Sequence, residues 1–132
     1  MWESRYGAAM AGVLRQFYER LDGSDGDRCL DMLSDDLRFS IVFSTDPPQA
    51  QDFNGGRAEF DGYMRQRGAP TWVHVVLSES AEDDVEVVLG ETHQDGRVIA
   101  TFVAAIRIDD QGKIDRYIVG RSPAVAFDLA RG

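Results

Sequence analysis

The feature that most limits what this chain can fold into is a change of hydrophobic period near residue 37. Before it, Tyr6, Ala9, Met10, Val13, Leu14, Phe17 and Leu21 recur at the spacing of one apolar helix face. After it, Leu37, Phe39, Ile41 and Phe43 alternate with Arg38, Ser40, Val42 and Ser44, as the two faces of a strand do. Further strand-like segments follow beyond Pro70. Helices first and hairpin-linked strands afterwards is an α+β layout, with helices packed on one face of a sheet.

The first helix is expected over about 3–21, ended by Asp22-Gly23-Ser24. Ser24 is expected to cap a short helix near 25–34, with Asp27 as its capping-box-like partner and Cys29, Leu30 and Leu33 inward. The strand over 37–43 stops at Asp46-Pro47-Pro48. A loop leads to Asn54-Gly55-Gly56 and a helix near 57–67 with Phe60, Tyr63 and Met64 inward; Gly68 and Pro70 suit its exit. Segments 71–80, 84–93, 97–108 and 113–121 are rich in Val, Ile, Thr and aromatics and read as antiparallel strands. Their breaks are Glu82-Asp83-Asp84, Asp95-Gly96 and Asp109-Asp110-Gln111-Gly112. Asp95-Gly96 is the clearest, because a tight hairpin needs positive φ at both positions.

A chain of 132 residues has the length of one domain, 1–132, able to bury a core without disulfides or a structural metal. The net charge of −9 argues against nucleic acid or an anionic membrane as partner. Fourteen of the 23 acids fall in 22–36, 79–86 and 109–115, the expected caps and turns. Cys29, the one cysteine, reads as a small buried hydrophobe. The N-terminus lacks a signal-peptide pattern, and no apolar run approaches the roughly 20 residues of a membrane helix. The expectation is therefore a soluble cytoplasmic domain. The one lysine, Lys113, lies in a turn, which excludes Schiff-base chemistry.

Three stretches carry a resemblance: "VLRQFYERLDGSDGDRCLDMLSDDLRFSIVF" (13–43), "FNGGRAEFDGYMRQR" (53–67) and "DDQGKIDRYIVGR" (109–121). With the order of elements, they make the chain similar to the NTF2-like superfamily, its SnoaL-like branch in particular. The resemblance implies a cone in which a strongly curved antiparallel or mixed sheet wraps the N-terminal helices and leaves a pocket open at one end. It also implies frequent homodimerisation through the convex sheet face. Val73, Val75 and Leu77 alternating with Trp72, His74 and Val76 fit that, because both faces of this segment are apolar. Relatives include steroid isomerases, polyketide cyclases, dehydratases, epoxide hydrolases and non-catalytic binding domains, so fold alone does not fix activity.

The steroid isomerases' carboxylate base falls on Ile41, their helix tyrosine on Phe17 beside Tyr18, and their second acid on Ala104. That mechanism is rejected unless a one-residue slip rescues Tyr18. The epoxide hydrolases' Asp-Arg-Asp arrangement is not recognisable either.

The same overlay, with strand alternation, turns Phe17, Phe39, Ile41, Phe43, Trp72, Val76, Val87, Leu89, Phe102, Ala104, Ile106 and Val119 toward the pocket. Tyr63, His74, Glu91, Tyr117 and Arg121 are its polar candidates, with His93 near a strand end. An apolar cavity with a few convergent polar groups suits a flat hydrophobic small molecule carrying a carbonyl or hydroxyl.

His74 is the candidate proton carrier, or else a core histidine bonded to a backbone carbonyl or a neighbouring group. Glu91 would orient it or act as acid and base, or else lies already in solvent. Tyr117 would stabilise an oxyanion, or sit at the rim as an amphipathic core residue. Arg121 would hold an anionic group or pair with Glu91. Asp46 reads as a turn residue. No metal-ligand spacing and no cofactor motif is present, so neither a metal nor a cofactor is expected. The expectation is a cofactor-independent cyclase, isomerase or dehydratase acting on a polyketide- or terpenoid-like substrate. Its rival is a non-catalytic ligand-binding or dimerisation domain of the same fold.

Overall fold

The computed structural model of the chain describes residues 12–43, 53–67 and 72–129. Within them α1 (Val13–Leu21) leads through a 3-10 helix (Gly26–Met32) into β1 (Leu33–Phe43). Then follow β2 (Phe53–Gly55), α2 (Arg57–Arg67), β3 (Trp72–Glu82), β4 (Val85–Gln94), β5 (Arg97–Ile108) and β6 (Ile114–Ser122). The expected helix over 3–11, the Asp46-Pro47-Pro48 stop and the Gly68 and Pro70 exit lie outside the described residues.

All six strands join one sheet in the order β2-β1-β6-β5-β4-β3. Neighbours are antiparallel except β1 and β6, which run parallel, so the sheet is mixed. The later strands follow one another through short turns, which antiparallel pairing permits. Asp95 (φ 54°) and Gly96 (φ 77°) both take the left-handed conformation expected of that hairpin. Register shifts interrupt β3 between Val76 and Ser78, β4 between Thr92 and His93, and β5 between Arg107 and Ile108. Such irregularities bend a sheet and raise its twist, giving the curved wall that wraps the helices.

The inner face of the sheet, with Phe39, Ile41, Val88, Phe102 and Ala104, packs on Leu14, Phe17 and Tyr18 of α1 and Phe60 of α2. Gly90 is required by that packing: a Cβ there would lie 2.3 Å from Phe102 Cζ and 2.7 Å from the Val75 carbonyl oxygen. Glu86 also points inward. The Val13 and Leu14 amides donate to its two carboxylate oxygens at 2.9 Å each. A strand carboxylate thus satisfies two of the four orphan donors at the start of α1, where Gly12 has no side chain to do so. Burial pushes the Glu86 carboxyl up, and the amide hydrogen bonds pull it back only partly. The expectation that acids of 79–86 serve turns therefore fails for Glu86.

Two other expectations need correction. The second helix is 3-10, not α, and Ser24 does not cap it: Asp25 precedes it, without a side-chain cap bond. Gly26–Met32 is only seven residues, the kind of short connecting run that 3-10 geometry serves, and Gly26 opens it where a Cβ would sit 2.9 Å from the Leu21 carbonyl oxygen. Cys29 is fully buried there, as expected, while Leu30 is only partly buried. The loop before α2 contains the short strand β2, paired with Phe39–Ile41, too brief to show a period. Glu59 then accepts the Gly56 N–H at 2.7 Å at the start of α2.

The outer face of the sheet carries Val87, Val103 and Ile118, which are 41, 52 and 56% exposed. Among the described residues no helix is long and apolar enough to cross a membrane.

Candidate functional site

Tyr18 and Asp22 lie four residues apart, at the last turn of α1 and its C-cap, and so share one side of the helix. His74 on β3 meets both. The His74 backbone N–H donates to Asp22 Oδ2 at 2.6 Å, and its Nδ1 lies 3.0 and 3.1 Å from the two carboxylate oxygens. The two side chains are only 13% and 10% exposed. The imidazole stacks on the Tyr18 ring at 4.3 Å and 9°, with Phe102 edge-on at 5.3 Å. A ring nitrogen facing a carboxylate carries the hydrogen, so the neutral ring keeps its lone pair on Nε2.

The Tyr18 and Tyr117 hydroxyls are 2.9 Å apart. Burial holds the Tyr18 phenol well above its ordinary range, and the adjacent Tyr117 raises it further. Tyr18 therefore stays neutral. Tyr117 stands between it and the cavity.

That cavity measures about 30 Å³ and widens into a cleft of about 450 Å³ counting its solvent-open part. Of the expected lining, Ile41, Tyr63, Trp72, Phe102, Val119 and Arg121 are in place around His74 and Tyr117. The Arg121 guanidinium lies over the Trp72 ring, 5.4 Å from its centroid. Leu21, Val42, Phe60 and Thr92 also line the cavity and were not anticipated from the sequence.

The other expected residues are elsewhere. Phe17, Phe39, Ala104 and Ile106 belong to the core behind the cavity, and Val76 packs against that core half-buried. The Phe43 side chain and Asp46 lie outside the described residues. Val87 and Leu89 occupy the outer sheet face, because the inward set of β4 is Glu86, Val88, Gly90 and Thr92. Glu91 shares their parity. It does not line the cavity; it is buried on the other side of the sheet, where its Oε1 lies 2.9 Å from His93 Nε2. His93, near the strand end, is half-buried by that contact. The residue at His74 is Asp22 instead.

The steroid isomerase positions hold the apolar Ile41 and Ala104, while Tyr18, one residue past Phe17, presents a hydroxyl inside. Among the described residues no three His, Cys, Asp or Glu side chains gather as a metal-binding group.

The sequence matches the family model of the SnoaL-like domain over residues 14–117. No curated protein is a significant match. Solved structures agree in fold. A proposed isomerase of the SnoaL-like family from Agrobacterium tumefaciens is 12% identical, with TM-score 0.65 over 86% of this chain and 98% of its own. The proposed polyketide cyclase IdmH from Streptomyces antibioticus is 15% identical, with TM-score 0.66 over 86% and 91%. A proposed ketosteroid isomerase from Kribbella flavida is 17% identical, with TM-score 0.64 over 93% and 83%. At these identities the likeness is one of fold.

Proposed function

Because the chain belongs to the SnoaL-like domain family, we propose that it is a cofactor-independent enzyme of the cyclase, isomerase or dehydratase kind. Its substrate is a flat, hydrophobic, polyketide- or terpenoid-like molecule. The observation that carries this reading is the Asp22–His74 pair at the edge of an apolar cavity. Family membership alone supports only the general class, and the relatives named above act as analogies.

In the proposed reaction His74 Nε2 takes a proton from the substrate. Asp22 holds the ring in the tautomer that leaves Nε2 basic and stabilises the imidazolium that forms. The Tyr117 hydroxyl, backed by Tyr18, donates to the oxygen on which negative charge develops. Trp72, Phe102 and Tyr63 set the plane of the substrate, and Arg121 stands at the same wall. The cavity itself holds little more than one water, so a substrate enters from the cleft and places one polar atom inside.

The test is conversion of a panel of flat hydrophobic hydroxy-ketones, followed by NMR for cyclised, isomerised or dehydrated product. The wild type is expected to convert at least one, and His74→Gln to lose about 10²- to 10⁴-fold in rate at unchanged melting temperature. Equal rates in the two proteins contradict the reading. Binding without any conversion favours the alternative of a ligand-binding domain.

Homodimerisation is part of the same proposal. Val87, Ala105 and Ile118 are consecutive partners across β4, β5 and β6, making an apolar row on the outer sheet face that a second copy would cover. A cytoplasmic setting is likewise proposed, on the sequence features alone.

A further inference from the structure

Thr92 carries the observation that the proposed mechanism leaves unused. It is 0% exposed, it lines the cavity, and its hydroxyl has no hydrogen-bond partner. A buried hydroxyl without a partner is costly, and a protein retains one where something else completes it. Thr92 is also the direct cross-strand partner of His74 in the β3–β4 ladder. Both side chains point to the inner face, and directly opposed Cβ atoms lie about 5 Å apart.

We infer that Thr92 and His74 form a two-point subsite for a single hydroxyl oxygen, that of a substrate alcohol or of a water standing in for it. The inference rests on the functional reading of the Asp22–His74 pair. The donor and acceptor pattern selects the chemistry. Asp22 occupies Nδ1, so neutral His74 offers only the Nε2 lone pair and must receive a hydrogen bond. Thr92 can give one. The atom between them must therefore donate to His74 and accept from Thr92. A hydroxyl does both, whereas a ketone oxygen can only accept and leaves Nε2 unmatched. The cavity of about 30 Å³ has the size of one such oxygen with its hydrogens. The substrate is thus an alcohol at the atom that meets His74, and the hydroxyl proton is the one the Asp22–His74 pair is placed to hold.

The experiment compares cyclohexanol with cyclohexanone, two rings of one size that differ at this oxygen. Binding is titrated by the chemical shifts of His74 and of the residue at position 92 in the wild type, Thr92→Val and Thr92→Ser. The wild type is expected to prefer cyclohexanol by about tenfold or more. Thr92→Val keeps the branched shape and is expected to lose the preference; Thr92→Ser restores the hydroxyl and is expected to recover it. Should Thr92→Val fail to fold, Thr92→Ala reads the same loss.

A wild type that binds the two equally, or prefers the ketone, overturns the inference. So does a preference that survives in Thr92→Val, or a cyclohexanol titration that leaves the Thr92 and His74 signals unmoved. Turnover is not read in this experiment. A protein that converts no substrate yet keeps the Thr92-dependent preference removes the proposed activity and leaves the subsite standing.

Discussion

A carboxylate at the C-terminal end of a helix faces the negative pole of the helix dipole, and Asp22 occupies that position while largely buried. Its local cost is offset by two hydrogens from one residue, the His74 amide and the His74 ring. Such an arrangement makes sense if the carboxylate serves His74 more than the helix. Glu86 is the contrasting case, a buried acid at the favourable helix end. Its carboxyl is raised in the native state, chiefly by burial, so the native state holds a proton that the unfolded chain has already released. Between the ordinary glutamate range and that raised value, stability therefore falls as pH rises. Urea unfolding of the wild type and Glu86→Gln from about pH 4 to about pH 8 is expected to show this decline only in the wild type. Glu86→Gln should also lose about 1–3 kcal/mol, because an amide offers the two helix N–H groups one acceptor instead of two. Parallel pH curves for the two proteins would contradict that account. His74 was legible in the sequence because an imidazole between apolar neighbours on an inward parity is conspicuous. Asp22 was not, because Asp-Gly-Ser reads as an ordinary helix exit and the strand that meets it is 52 residues away.

Among the elements, β4 is where the sequence misleads. Val87, Leu89 and Glu91 look like the buried face by hydrophobicity, yet the buried face is Glu86, Val88, Gly90 and Thr92. The alternation is legible in the sequence but its phase is the opposite one, and a phase inversion moves every side chain to the other side of the sheet. Val87 and Leu89 are more apolar than Glu86, Gly90 and Thr92, so hydrophobicity favours the opposite phase. What chooses it is Gly90, the one residue small enough to sit under Phe102. Gly90→Ala is accordingly expected to cost about 1–3 kcal/mol in chemical denaturation, as overpacking against Phe102 and the β3 backbone. Gly120, where a Cβ meets nothing within 4 Å, supplies the control: Gly120→Ala should leave the denaturation midpoint nearly unchanged. A midpoint shift as large at Gly120 as at Gly90 would mean the loss of strand glycine itself, not the crowding, matters. The strongly periodic helix face, the four later strands and the Asp95-Gly96 turn were legible because each signal is local. The 3-10 geometry of Gly26–Met32 and the short β2 were not, since so short a helical run carries no period that separates 3-10 from α, and pairing with β1 decides β2.

For the whole molecule, the acidity belongs mainly to the shell; among the described residues Glu86 in the core, Glu91 under the other face of the sheet and Asp22 beside the cavity depart from it. The outer sheet face departs from that shell. Val87, Val103 and Ile118 are exposed on one side of three adjacent strands, so Ile118→Asp is expected to convert a dimer to a monomer in light scattering. A wild-type monomer at all concentrations would remove the proposed dimer. The site does not depend on that outcome, because the pair formed by Asp22 and His74 is complete within one chain. The most direct test of its role is Asp22→Asn, assayed on the best hydroxy-ketone substrate with kcat and KM determined separately. A falling kcat, by about 10²- to 10⁴-fold, with KM and melting temperature little changed is the predicted result, since the amide no longer fixes the tautomer or balances the imidazolium. An Asp22→Asn protein that folds and turns over at the wild-type rate would contradict the account.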